Sequence, residues 1–171
     1  MEKLIITAAV TGSVPTKQDN PHLPEQPEEI AENAAKVREA GASIIHIHAR
    51  DHDGNPTLDP EIFAETYYKI QAKAPDLIIQ VSTGGRAGKD PNLRAAAVRL
   101  LKPETASLTT GSVHFPNQIY ENSPETVEVI ARAQMEVNCK PEMEIFDTGM
   151  IGAALRLAEK GLATPPLHFN F

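Results

Sequence analysis

Short apolar or β-branched runs alternate with stretches whose apolar residues recur at helical spacing along the whole 171-residue chain. That alternation is the pattern of repeated βα units around a parallel sheet. The runs predict six strands, at Leu4 to Val10, Ser43 to His48, Leu77 to Ser82, Thr105 to Thr109, Glu142 to Phe146 and Leu167 to Phe171. Helices fill the intervals. The first opens at Pro27, meets its dipole with Glu28 and Glu29, repeats Ile30, Ala34 and Val37 on one face, and stops at Gly41. Asp59-Pro60-Glu61 opens another, with Phe63, Tyr67 and Ile70 on a shared face, and Ser123-Pro124-Glu125 opens a third, with Val127, Ile130 and Ala131 inward. The last runs from Ile151 through Leu155 to Ala158 and is stopped by Gly161. Pro15 to Pro27 reads as a long loop after the first strand. No interdomain linker interrupts the pattern, so residues 1–171 read as a single domain.

The polar positions separate two architectures. Strands of a doubly wound sheet are covered on both faces and read as continuous apolar runs. Here polar residues fall in i, i+2 pairs at or near strand C-terminal ends: His46 with His48, Ser107 with Thr109, Glu142 with Glu144, His168 with Asn170. A closed (β/α)8 TIM barrel predicts such pairs, because inward-pointing residues there converge on one mouth. Capped strand ends in an open flavodoxin-like sheet are the alternative. A full barrel takes about 250 residues, so this chain reads as an incomplete barrel of about five and a half βα units. Such a chain is expected to be truncated or completed by another polypeptide, with unpaired edges on its first and last strands.

The same pairs carry the candidate chemistry. His46 and His48, two apart on a strand, project to one face and form a divalent-metal half-site, or else two hydrogen-bonded histidines at a strand end. Two small-residue turns, Ser82-Thr83-Gly84-Gly85-Arg86 and Thr109-Thr110-Gly111-Ser112, can bind a carboxylate or phosphate, with Arg86 available for charge, or serve as plain turns. Glu142 and Glu144 can orient a metal ligand, bind a cationic group or move protons, or end the strand in a salt bridge. Arg50 continues toward the mouth as an anion clamp, or pairs with Asp51 or Asp53. His22, His52 and His114 sit in loops and read as solvated.

Composition narrows the partners. A formal charge of −7 excludes nucleic acid and anionic membrane as main partners. No stretch reaches the ~18 apolar residues of a membrane span, and Met1-Glu2-Lys3-Leu4 does not resemble a signal peptide. The single cysteine, Cys139, agrees with a reducing cytoplasm and reads as a small buried thiol.

Taken together, several spaced segments carry a resemblance. They are Leu4-Ile5-Ile6-Thr7-Ala8-Ala9-Val10-Thr11-Gly12, Gly41-Ala42 leading to His46-Ile47-His48-Ala49-Arg50, Gln80-Val81-Ser82-Thr83-Gly84-Gly85, Leu101-Lys102-Pro103-Glu104, Pro141-Glu142-Met143-Glu144 and Pro166-Leu167-His168-Phe169-Asn170-Phe171. The chain resembles, over its whole length, the β-keto acid cleavage enzymes, whose best-known branch acts on 3-keto-5-aminohexanoate in lysine breakdown. The resemblance implies a zinc-dependent (β/α)8 acyltransferase that condenses a β-keto acid with acetyl-CoA, giving acetoacetate and a new acyl-CoA. It implies zinc on His46 and His48. It further implies a substrate pocket of Ser82, Thr83, Gly84, Gly85, Ser107, Thr109 and Glu144, with Glu144 suited to a polar or cationic substrate tail. The family's third zinc ligand, a glutamate, its acid/base aspartate and its substrate-binding arginine are expected beyond Phe171, so this chain alone is expected to be inactive. The resemblance also implies a cytoplasmic homo-oligomer in the full-length form. In the aminohexanoate branch a carboxylate in the loop after the first strand meets the substrate amine, and Val14 stands there in this chain, pointing to a less cationic β-keto acid. A TIM-barrel metal-dependent hydrolase, and a non-catalytic fragment or subunit that needs a partner, are the alternative readings.

Overall fold

The structure is a computed structural model that describes residues 4–171; the Met1-Glu2-Lys3 lead-in lies outside the described residues. The chain forms two compact units, one ending at Ser82 and one running from Thr83 to Phe171.

The first unit contains β1 (Thr7–Ala9), α1 (Pro27–Glu39), β2 (Ile44–Ile47), β3 (Ala49–Arg50), β4 (Pro56–Thr57), α2 (Pro60–Lys73) and β5 (Ile78–Val81). β1, β2 and β5 are parallel neighbours in that order, with Ala9 opposite His46 and His46 opposite Gln80. α1 begins where the sequence places it: Pro27 occupies the first turn, and the Glu29 carboxylate accepts the backbone N–H groups of Glu25 (2.9 Å) and Gln26 (3.1 Å). An ion pair with Lys17, and these N–H donors, hold Glu29 at about 2, well below the ordinary carboxylate range. Gly41, at φ +101°, turns the chain out of α1, a conformation that a Cβ would strain. α2 is capped by Asp59, which accepts from the Glu61 N–H at 2.9 Å. Ile45, Ile47, Ile79 and Val81 are buried, as are Ile30 and Ala34 of α1 and Phe63 and Ile70 of α2. The intervening positions, His46 and Gln80, are thereby left to the other face.

The second unit contains α3 (Pro91–Arg94), α4 (Ala96–Leu101), β6 (Thr105–Thr109), β7 (Val113–Phe115), β8 (Gln118–Tyr120), α5 (Pro124–Glu136), β9 (Lys140–Glu144), α6 (Thr148–Glu159) and β10 (His168–Asn170). β6, β9 and β10 are parallel neighbours, and their register makes two polar rungs: Ser107, Glu142 and His168 on one, Thr109, Glu144 and Asn170 on the next. Leu108, Met143 and Ile145 turn the other way and pack with Val127, Ile130 and Ala131 of α5 and with Met150, Ala154 and Leu157 of α6. One strand face is therefore apolar and helix-covered, and the other is polar, as a barrel requires.

Three features differ from the sequence reading. β9 starts at Lys140, two residues earlier than expected, so Pro141 lies inside a strand. Its missing N–H is harmless there, because pairing with β10 begins only at Glu142. α6 starts at Thr148 rather than Ile151, since the Asp147 carboxylate accepts the N–H groups of Gly149 (2.7 Å) and Met150 (3.2 Å) and fixes an earlier first turn. Two hairpins, β3/β4 and β7/β8, interrupt the simple alternation. The expected open edges are present among the described residues: β1 pairs only with β2, and β10 only with β9. Among the described residues no helix is long and apolar enough to cross a membrane.

Burial pushes the Cys139 thiol up to about 12, so at pH 8 the thiolate fraction is negligible. We expect Cys139 to resist a disulfide reagent such as DTNB in the native chain and to react stoichiometrically in 6 M guanidinium; prompt native reactivity would contradict the burial. Leu108→Ala removes a side chain that is 1% exposed and is expected to cost about 2–5 kcal/mol in urea denaturation, against about zero for the exposed Tyr68→Ala.

Candidate functional site

In the first unit the two predicted histidines do share a face. β2 ends at Ile47, His48 lies between β2 and β3, and His46 Nε2 lies 3.2 Å from His48 Nε2 with the rings at 70°. His46 Nδ1 is 2.6 Å from Gln80 Oε1. Since an amide oxygen only accepts, Nδ1 carries a hydrogen toward it. Burial, with the nearby His46 and Arg50, pushes His48 down to about 3 and keeps it neutral. Two imidazoles with Nε2 atoms facing each other suit a cation: zinc–nitrogen bonds of about 2.0–2.1 Å at a tetrahedral angle put two ligand nitrogens about 3.3 Å apart. Gln80 is the partner that such a ligand ordinarily has on its remote nitrogen. Its role follows from the strand register opposite His46, which the sequence alone did not supply. Among the described residues no group of three His, Cys, Asp or Glu side chains completes a metal site.

Arg50 is neither the anion clamp nor the partner of Asp51 or Asp53. It is 2% exposed and donates only to backbone carbonyls: Nε and Nη2 to Gly12 O, Nη2 to Pro15 O at 2.8 Å, and Nη1 to Gly54 O at 2.8 Å. These bonds fasten the loop after β1, on either side of Ser13-Val14, to the β3/β4 hairpin. Asp51 instead accepts the N–H groups of Asp53 and Asn55. Val14 itself is 63% exposed. His22, His52 and His114 are exposed, as expected.

In the second unit the turn and strand-end residues lock one another. Thr83 N–H donates to Ser107 Oγ at 3.1 Å, and Thr83 Oγ1 donates to Ser107 O at 2.8 Å. Gln134 of α5 donates to the same carbonyl at 2.9 Å. Thr109 Oγ1 donates to the Glu144 carboxylate, while Glu142 accepts from Asn170 Nδ2 at 3.0 Å and lies 3.8 Å from His168 Nε2. Ser82 is buried and Gly84 and Gly85 are half-buried. Arg86, the expected source of charge, is exposed. The cation at this turn is Arg94, which donates through Nε to Thr83 O at 2.8 Å and is 2% exposed. Sequence reading missed it because an arginine in a short helix looks solvated.

A family model described as beta-keto acid cleavage enzyme matches residues 3–171. The 3-keto-5-aminohexanoate cleavage enzyme of Fusobacterium nucleatum is 44% identical over 172 residues, covering 100% of this chain and 63% of that protein. The 3-oxoadipate:acetyl-CoA acetyltransferase of Cupriavidus necator is 40% identical over 167 residues, covering 98% of this chain and 58% of that protein. Among solved structures, apo ObcA superposes with a TM-score of 0.77 at 23% identity, over 87% of this chain and 36% of ObcA. The chain belongs to the β-keto acid cleavage enzyme family, and its fold is of the (β/α)-barrel class rather than the open doubly wound one. It spans less than two thirds of the length of these curated relatives, 63% and 58%.

The Arg50 bonds make a local prediction. Arg50→Gln should leave the chain folded but speed amide hydrogen exchange at Ser13 and Val14 by at least about tenfold, since hydrogen bonds from a charged group contribute about 1.5–3 kcal/mol each. Unchanged exchange in the peptide spanning these residues would show that the loop is held by something else.

Proposed function

We propose that this chain, as one partial barrel domain, supplies the metal-holding and carboxylate-holding part of a β-keto acid cleavage site. The reaction is acyl transfer between a β-keto acid and acetyl-CoA, giving acetoacetate and a new acyl-CoA. The observation that carries this reading is the facing Nε2 pair of His46 and His48, at a separation close to the zinc ligand spacing, in a chain matched to the family along its length. Zinc, when bound, supplies a Lewis acid for the keto and carboxylate oxygens of the substrate.

The chain's own residues do the rest of the work assigned to them here. Gln80 fixes the His46 tautomer and ring plane. The turn of Ser82, Thr83, Gly84 and Gly85, held in shape by the bonds from Thr83 to Ser107, receives the substrate carboxylate. Thr109 and Glu144 meet the polar end of the substrate, with Thr109 holding the carboxylate of Glu144 in place. Val14, exposed on the loop that Arg50 fastens, favours a β-keto acid less cationic than an aminohexanoate. The Cupriavidus relative, named for 3-oxoadipate, agrees with such a substrate. The third metal ligand and the proton-moving aspartate and arginine are those that the family resemblance places beyond Phe171. A cytoplasmic location and a homo-oligomeric full-length form belong to the same proposal.

Two measurements test it. Titration of Co²⁺ into the metal-free chain should give one weak site with visible absorption that changes on adding acetoacetate, and His46→Ala or His48→Ala should abolish it. Absence of any Co²⁺ site would remove the metal from the mechanism. With β-keto acid and acetyl-CoA, the zinc-loaded 171-residue chain alone should show no turnover; rates near the ordinary enzyme range of about 10 s⁻¹ would refute the need for further residues. Release of products without CoA would favour a hydrolase.

A further inference from the structure

Arg94 joins the two small-residue turns of the second unit. Its Nε donates to Thr83 O, and its Nη2 donates to Tyr120 Oη at 3.0 Å and Asn122 Oδ1 at 2.8 Å. The Gly85 N–H donates to the same Tyr120 oxygen at 3.3 Å. Asn122 in turn donates from Nδ2 to Gly111 O at 3.2 Å and from its backbone N–H to Ser112 Oγ at 2.9 Å. One guanidinium thus ties Thr83-Gly84-Gly85 to Gly111-Ser112. The fit is close: a Cβ on Gly85 would sit 3.1 Å from both Cζ and Nη1.

Every partner of this cation is neutral. It is 2% exposed, no carboxylate forms an ion pair with it among the described residues, and its Nη1 has no hydrogen-bond partner at all. Burial pulls the guanidinium below its ordinary range, with Tyr120 and the charge of Glu144 pulling the other way, yet an arginine stays protonated in proteins. A buried positive charge whose hydrogen-bond partners are all neutral is unfavourable for folding, and such a group repels further cations and attracts an anion. The exposed Arg86 cannot provide this field, because solvent screens it.

We infer that Arg94 is a positioning residue for an anion: it sets the backbone of the Thr83–Gly85 turn and provides the positive potential that draws the carboxylate of a β-keto acid to it. This rests on the proposed function and names the charge behind its carboxylate subsite. The residue need not touch the ligand. Its charge acts through the turn, at a site where low dielectric keeps the field strong.

The test compares binding of acetoacetate with its neutral methyl ester to the wild-type chain by calorimetry or NMR. Arg94→Gln should weaken acetoacetate by at least about tenfold and the ester by less than about twofold, while Arg94→Lys, which keeps the charge, should restore most of the difference. Asn122→Asp provides a second route if Arg94→Gln does not fold, because it sets a carboxylate against the guanidinium in place and should produce the same selective loss. Equal weakening of acid and ester, or no better binding with lysine than with glutamine, would reduce Arg94 to a structural brace and overturn the inference. Acetoacetate bound equally by wild type, Arg94→Gln and Asn122→Asp would overturn it while leaving the proposed function standing. Inorganic phosphate bound through Arg94 with no affinity for acetoacetate would overturn both, as would a wild-type chain that binds neither.

Discussion

Alternation along a parallel strand is the constraint on which this molecule rests. Successive side chains must point to opposite faces, and a βα repeat covers only one of those faces with a helix. In the first unit that rule sends Ile45 and Ile47 into the core and leaves His46 and His48 together on the other side. In the second it sends Leu108 and Met143 toward α5 and α6, leaving Ser107, Thr109, Glu142 and Glu144 in register across the sheet. The candidate chemistry is thus a by-product of how the core is made. Moving any of these strands by one residue would turn the polar set against the helices and the apolar set to the opposite face.

The two fully buried arginines show how the same group takes two different jobs. Arg50 spends its guanidinium on the carbonyls of Gly12, Pro15 and Gly54, so its donors are well used and its effect is to hold a loop. Arg94 has fewer partners than donors, and one nitrogen is left over. Interior hydrogen bonds of a charged group are strong, but an unmatched one carries the full cost of leaving water. That difference, rather than burial as such, separates a fastener from a source of electrostatic potential.

Much of this was legible from residue order, for reasons that can be named. The histidine pair, the polar i, i+2 pairs and the helix starts at Pro27, Pro60 and Pro124 all follow from local rules, and the structure bears them out. The family resemblance was carried by ordered motifs and holds. Partnerships across the sheet were not legible. Gln80 opposite His46, Gln134 beneath Ser107 and Arg94 beside Thr83 depend on register and on packing of distant segments, which periodicity does not encode. Arg50 was misread for the same reason: sequence shows that a cation is present, while only the fold shows whether its acceptors are carboxylates, carbonyls or water. The start of β9 was missed because proline argues against a strand unless the neighbour on its N–H side is absent.

Ser107 links regions with quite different surroundings. Its carbonyl receives one bond from Thr83 and another from Gln134, so the Thr83–Gly85 turn and the buried side of a helix share one acceptor. Mobility at the turn is therefore limited from behind, by an amide that no ligand can reach. Substitutions along the inner stripe of α5 are then able to reshape the turn without altering any residue within it.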